Sequence, residues 1–147
     1  MLQNKEKGFM LFDRALPPNQ PVSERVEHYD EFSGAFSPEE INRQAMRCMN
    51  CGVPFCHSGC PLGNMIPDFN DAVKDGDWRR AWEVLESTNN FPEVTGRVCP
   101  APCEAACVLG INEPPVTIEF MEKCIAEHAW QEGWFAPRPP ETRTGKK

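Results

Sequence analysis

The stretch CMNCGVPFCHSGCP, residues 48–61, packs four of the chain's eight cysteines into fourteen positions. No other feature restricts the fold as tightly, because thiols crowded this closely must pair with one another or hold something. The full spacing is Cys48-x2-Cys51-x4-Cys56-x3-Cys60-Pro61, then Cys99-Pro100-x2-Cys103-x3-Cys107, with Cys124 standing alone. Seven thiols fall in two groups and one does not.

The redox environment decides between pairing and holding. No uninterrupted apolar stretch near the N-terminus could serve as a signal-peptide core, and nowhere do about 18 apolar residues run together. A soluble, cytoplasmic chain is expected, and a reducing cytosol leaves thiolates free for metal. An even number of cysteines keeps a disulfide framework as the weaker alternative. The net charge of −7 and a pI near 5.0 argue against nucleic acid and against an anionic membrane surface, both of which attract basic faces.

Among metals, a structural zinc or interaction module is the rival from another class. A zinc site wants four tetrahedral ligands, usually from two short Cys-x2-Cys turns, and only one such turn exists here. A cubane of four irons and four sulfides is wider than an ion, so its ligands arrive at well-separated corners and unequal spacings suit it. Ferredoxins use C-x2-C-x2-C-x3-C-P, in which the cysteine before the proline serves the other cluster. Here Cys60 precedes Pro61 and Cys99 precedes Pro100, so crossed ligation between the two groups is expected.

Two cubanes need eight ligands and the groups supply seven. The eighth is Cys124 or Glu122, which lie about 200° apart on a helix, so that only one can face a cluster. The residues alone leave this choice open. His57 lies inside the run, but seven nearby thiols make its ligation unnecessary; His28 and His128 have no motif around them. Arg47, Arg97 and Lys123 flank the ligand positions, where a cation would favour the reduced, more negative state of a cluster. Met46, Met49, Val53, Phe55, Met65, Val98, Val108 and Leu109 interleave with the ligands and are expected to exclude water. No catalytic acid, base or nucleophile stands out.

The rest of the chain reads as helical. Residues 1–36 form an extended, proline-broken arm. Ser37 caps a helix running to about Arg47, with Pro38 at its first position and Glu40 completing a capping box. Ile66, Phe69 and Val73 mark a second helix stopped at Gly76, and Asp77 caps a third carrying Trp78, Ala81, Trp82 and Leu85; the two should make a hairpin around a small core. Residues 89–116 hold five prolines and two glycines, so a helical turn or two is expected only near Cys103 to Val108. Thr117 caps a last helix with Ile118, Met121 and Ile125 on one stripe, ending near Gly133. The domain is thus bounded at 37–134, and residues 135–147, proline-rich and basic, read as a linker.

From CMNCGVPFCHSGCP through the hairpin to RVCPAPCEAACVLGINEPPVTIEFMEK, and over nearly the whole chain, the sequence resembles the N-terminal iron–sulfur domain of the NADPH-dependent glutamate synthase small (β) subunit. It is also similar to the α-helical cluster domain of dihydropyrimidine dehydrogenase. The resemblance implies a small all-α, ferredoxin-like domain whose long loops are organised around two 4Fe–4S clusters. One would be held by Cys48, Cys51, Cys56 and Cys107. The other would be held by Cys60, Cys99 and Cys103, with Glu122 as the fourth ligand and Cys124 a bystander. It further implies an oxidoreductase in which NADPH reduces FAD and electrons pass through the clusters to FMN on the large (α) subunit, where glutamate is made. A dihydropyrimidine dehydrogenase-like flavin reductase is the rival reading. Glycine-rich G-x-G-x-x-G turns that bind FAD and NADPH follow this domain in the family, and residues 1–147 contain none. The chain is therefore expected to be a fragment or a free-standing cluster module, non-catalytic alone.

Overall fold

Helix signals written into the sequence place most of the elements in the computed structural model, which describes residues 7–137 and 139–146. Residues 1–6 of the expected arm, and Arg138 and Lys147 of the expected linker, lie outside the described residues. The order is α1 (Gly8–Leu11), α2 (Val22–Arg25), α3 (Pro38–Met46), α4 (Phe55–Gly59), α5 (Ile66–Lys74), α6 (Trp78–Glu86), α7 (Pro92–Val98), α8 (Pro102–Ala105), a 3-10 turn (Val108–Ile111) and α9 (Ile118–Gln131). Extended pairing among the described residues is limited to one isolated antiparallel bridge, Asn19 with Ser33. The fold is all-α with long loops.

The caps follow the sequence in part. Ser37 Oγ accepts from Glu40 N at 3.3 Å, but the capping box only half forms, because the Glu40 carboxylate accepts from Arg43 and Gln44 instead. Asp77 Oδ1 accepts from Arg80 N at 3.1 Å and starts α6. Thr117 precedes α9 as expected, yet its hydroxyl makes no capping bond. That role passes to Glu104 on α8, whose Oε1 accepts from Glu119 N at 3.1 Å.

Helices α5 and α6 form the expected hairpin, turning at Gly76, whose φ of +77° suits glycine. Their apolar faces meet α9. Phe69, Ala72, Val73, Ala81, Trp82, Leu85, Ile118, Met121, Ile125 and Ala129 make a continuous buried core. Trp82 is 2% exposed and Phe135 lies against it at 4.4 Å between ring centroids, so the segment from residue 135 onward is docked at its first residue. Trp78 stacks on His128 at 4.4 Å. Both tryptophans therefore serve packing, and burial of an aromatic this complete is worth about 3–5 kcal/mol against truncation.

Four helices were not expected: the short α1 and α2 in the arm that reads as extended, α4 inside the first cysteine run, and α7. Residues 92–98 form α7 despite Pro92 and Gly96. Proline at the first helical position loses nothing, since that N–H has no intrahelical partner. Gly96 is required by contact: a Cβ there would meet the Lys123 backbone and Cβ at 2.8–2.9 Å. The residues that read as helix breakers are what lets α7 lie flush on α9.

Candidate metal centre

The two cysteine runs meet where α4 packs on α8. Gly59 makes this approach possible, since a Cβ on it would come within 2.5 Å of Ala106 Cβ. Two non-glycine residues next to the ligands take left-handed backbone, Asn50 at φ 51° and Ala101 at φ 50°. For Ala101, in the Cys99-Pro100-Ala101-Pro102-Cys103 turn, that conformation costs about 1 kcal/mol or more. The turn is held by the Ala101 N–H, which donates to Cys99 Sγ at 3.4 Å.

Two sets of side chains come together. Cys48, Cys51, Cys56 and Cys107 line one cavity, closed by Met49, Phe55, Ile66, Leu109, Val116 and Ile118. Burial, then the charges of Cys48, Cys107 and Cys51, push the Cys56 thiol up to about 11. The second set surrounds Cys103, whose thiol is pushed up to about 12 by burial, then by the charges of Glu122, Cys60, Glu104 and Cys99. Crowded thiols that resist ionising alone become good ligands when a cation supplies the missing positive charge. Among the described residues, no three Cys, His, Asp or Glu side chains converge as ligands of a single metal ion would. Thiols gathered in two sets are the donors that 4Fe–4S clusters take, so this donor set fits that chemistry.

Glu122 and Cys124 part company as the helical angle requires. Glu122 is 6% exposed; its carboxylate accepts from Asn64 Nδ2 at 3.0 Å and from Asn89 Nδ2 at 3.4 Å. Burial raises its pKa, against the lowering effect of these two amides, with Glu119 and Glu104 adding to the rise. Thr88 Oγ1 donates to Asn64 Oδ1 at 2.7 Å, which fixes the Asn64 amide with its NH2 towards the carboxylate. Cys124 lines a separate cavity with Phe36, Ile41, Trp78, Phe120 and His128. Burial is the main cause that pushes its thiol up to about 12, and the charged groups acting on it are Glu127 and Lys123. The structure thus brings Glu122, and not Cys124, to the other cysteines.

His57 Nε2 accepts from Ile66 N at 3.1 Å, so that nitrogen is occupied in tying α4 to α5. The expected water-excluding residues divide: Met46 and Leu109 are buried, whereas Val53 and Val98 are 73% exposed and shield nothing. Val53 lies on a loop and Val98 at the end of α7, both facing outward, a direction that interleaving in sequence does not encode. Sequence reasoning also missed Asn64 and Asn89, since a buried amide has no spacing signature, and it missed the ties from the arm. Arg14 pairs with Glu104 at 2.6 Å, and Glu31 pairs with Arg97 at 2.8 Å and Lys123 at 2.5 Å. Gln44 bonds Asp13 O and Ala15 N, and Arg47 donates to Phe12 O. Each tie of residues 12–31 to a charged partner ends one or two residues from a member of the two sets.

Comparison with known proteins supplies the family. Residues 25–134 match the family described as dihydropyrimidine dehydrogenase domain II, 4Fe–4S cluster. The chain is 54% identical over 140 residues to the glutamate synthase (NADPH) small chain of Mycobacterium tuberculosis, covering 95% of this chain and 29% of that one. It is 47% identical over 152 residues to the Bacillus subtilis small chain, covering 97% and 31%. The glutamate synthase (NADH) of Saccharomyces cerevisiae is 48% identical over 143 residues, which is 96% of this chain and 7% of that one. The chain therefore spans less than a third of the length of these curated relatives, and no described helix is long and apolar enough to cross a membrane. With three-quarters of its length matched and its thiols gathered as such a domain requires, this chain belongs to the 4Fe–4S cluster family of dihydropyrimidine dehydrogenase domain II.

Proposed function

We propose that the chain is the electron-carrying domain of a glutamate synthase small subunit. Residues 37–134 would hold two 4Fe–4S clusters, between an arm (1–36) and a linker (135–147) that in the full-length protein joins FAD- and NADPH-binding units. The clusters, when bound, supply one-electron carriage between those units and the FMN of the large subunit. The observation that supports the reading is that Cys48, Cys51, Cys56 and Cys107, from both runs, line one cavity, while Cys60, Cys99 and Glu122 lie near enough to Cys103 to act on it; the two sets would be Cys48/Cys51/Cys56/Cys107 and Cys60/Cys99/Cys103/Glu122. Relatives 36–54% identical carry the name glutamate synthase, which favours this enzyme over a pyrimidine reductase.

The chain's own residues bind, orient and shield. Seven thiolates and one carboxylate would ligate. Asn64 and Asn89 hold the Glu122 carboxylate in place, and Gly59 and Gly96 allow the ligand-bearing segments to approach. Met49, Ile66, Leu109, Val116 and Ile118 keep water from the first set, while Phe55, more than half exposed, only edges it.

Anaerobic purification tests the reading. About eight iron and eight sulfide per chain and a broad visible band are expected for two cubanes; a colourless protein carrying zinc would overturn it. Glu122→Ala should lower iron content or alter one cluster's spectrum, while Cys124→Ala should do neither. The reverse result would assign the eighth ligand to Cys124.

A further inference from the structure

Four cations flank the two sets, and the structure treats them differently. Arg97 and Lys123, beside the Glu122 set, are met charge for charge by Glu31 and Glu127. Arg14 is neutralised by Glu104. Arg47 is 1% exposed, and its guanidinium donates to three backbone carbonyls: Phe12 O at 3.0 Å, Pro115 O at 2.9 Å and Pro114 O at 2.6 Å. Each guanidinium nitrogen thus gives one hydrogen bond to a neutral carbonyl, which does not cancel the charge. Arg47 feels Cys107 and precedes Cys48, both of the first set. The carboxylates that act on it, Asp13 and Glu113, are solvent-exposed, so water and salt screen them. Arginine stays protonated even when buried.

We infer that the two clusters are unequal, and that the one held by Cys48, Cys51, Cys56 and Cys107 has the higher reduction potential because Arg47 places an uncompensated buried cation beside it. The inference rests on the two-cluster reading above. A reduced cluster carries one more negative charge, so a fixed cation in a medium of low polarity stabilises the reduced form selectively. The opposing feature is the Ala101 N–H bond to Cys99 Sγ in the second set; one neutral dipole is a weaker source than a full charge screened by little water. A single electron, supplied by dithionite in solution or by a reduced flavin in the assembled enzyme, therefore rests on the first cluster. The second would stay oxidised until another electron arrives. Arg47 acts as a positioning charge, not as a ligand.

The test is a potentiometric titration of the anaerobically purified, cluster-loaded chain followed by electron paramagnetic resonance. Two midpoints are expected in the unaltered chain. Arg47→Gln should shift the higher midpoint downward and leave the lower in place, and Arg47→Lys should restore most of the difference. A shift confined to the lower midpoint, or no shift with both clusters present, overturns the inference while leaving the two-cluster reading intact. Should Arg47→Gln not fold, Glu122→Ala decides: the signal it alters or removes must be the one with the lower midpoint, and alteration of the higher one overturns the assignment. A chain with no iron at all overturns the two-cluster reading and this inference with it.

Discussion

The α5–α6–α9 half of the molecule and the cysteine-bearing half are held together by different forces. In the first, Phe69, Trp82, Leu85, Met121 and Ile125 are 0–2% exposed and lie in continuous apolar contact, so area removed from water does the work. In the second, α4 and α8 are five and four residues long, below the length at which a helix sustains itself. Their loops are fixed by polar ties from the arm and by glycine contacts, against backbone strain at Ala101. A strained, polar, thiol-lined region is ordered only when something else supplies binding energy. The difference teaches that one half is a scaffold and the other a holder that awaits its clusters.

The most severe way to break the comparison is to remove iron. Chelation under oxidising conditions should abolish hydrogen-exchange protection across residues 48–63 and 99–116 while much of α5, α6 and α9 stays protected, because opening energies differ between cooperative units. Equal loss in both halves would show a single cooperative body. Next in size, Trp82→Ala should cost about 3–5 kcal/mol in denaturant unfolding and should fall on the scaffold. Loss of less than about 1 kcal/mol would mean that Phe135 and its neighbours collapse into the space.

The scaffold was largely legible in the sequence and the holder only in outline. Periodicity and caps give α3, α5, α6 and α9 because those helices are amphipathic and begin at Ser37, Asp77 and Thr117. Helix α7 was hidden because Pro92 and Gly96 carry the same letters whether they break a helix or permit its first turn and its closest contact. The cysteine groups could be read from spacing, but the choice between Glu122 and Cys124 could not, since both positions suit a buried helix face. What separates them is tertiary: Asn64 and Asn89, 58 and 33 residues away in sequence, reach one and not the other. The arm's ties were illegible for the same reason, Glu31 lying 92 residues from Lys123.

Gly96→Val joins the halves in one experiment. The added Cβ would press on the Lys123 backbone, so α7 must lift from α9 at about 1–3 kcal/mol. Cys99 and Glu122 should then separate, and iron content should fall by about half in proportion to loss of one cubane. A stability loss with both clusters retained would show the two elements to be less coupled than this contact implies. Asn64→Ala follows, leaving the buried Glu122 carboxylate short of one donor at a cost of about 1–3 kcal/mol, with the spectrum of the second cluster altered more than that of the first.

The smallest effect belongs to the arm. Arg97 first, then Lys123, hold the Glu31 carboxyl down to about 2, against an ordinary 4.5, and burial opposes them only in part. A carboxyl with a depressed folded-state pKa stabilises the fold fully above its unfolded value and loses that contribution as pH falls from about 4.5 towards 2. Glu31 is 40% exposed at its side chain, so solvent screening reduces the contribution to about 1 kcal/mol or less. Glu31→Gln should therefore lower stability slightly at pH 7 and flatten its decline between pH 4.5 and 2, with the difference shrinking in high salt. Because Glu31 balances Arg97 and Lys123 beside the second set, the same substitution leaves those cations partly uncompensated and should draw the two cluster midpoints closer together. A change in acid stability with unmoved midpoints would confine the arm's role to holding the fold.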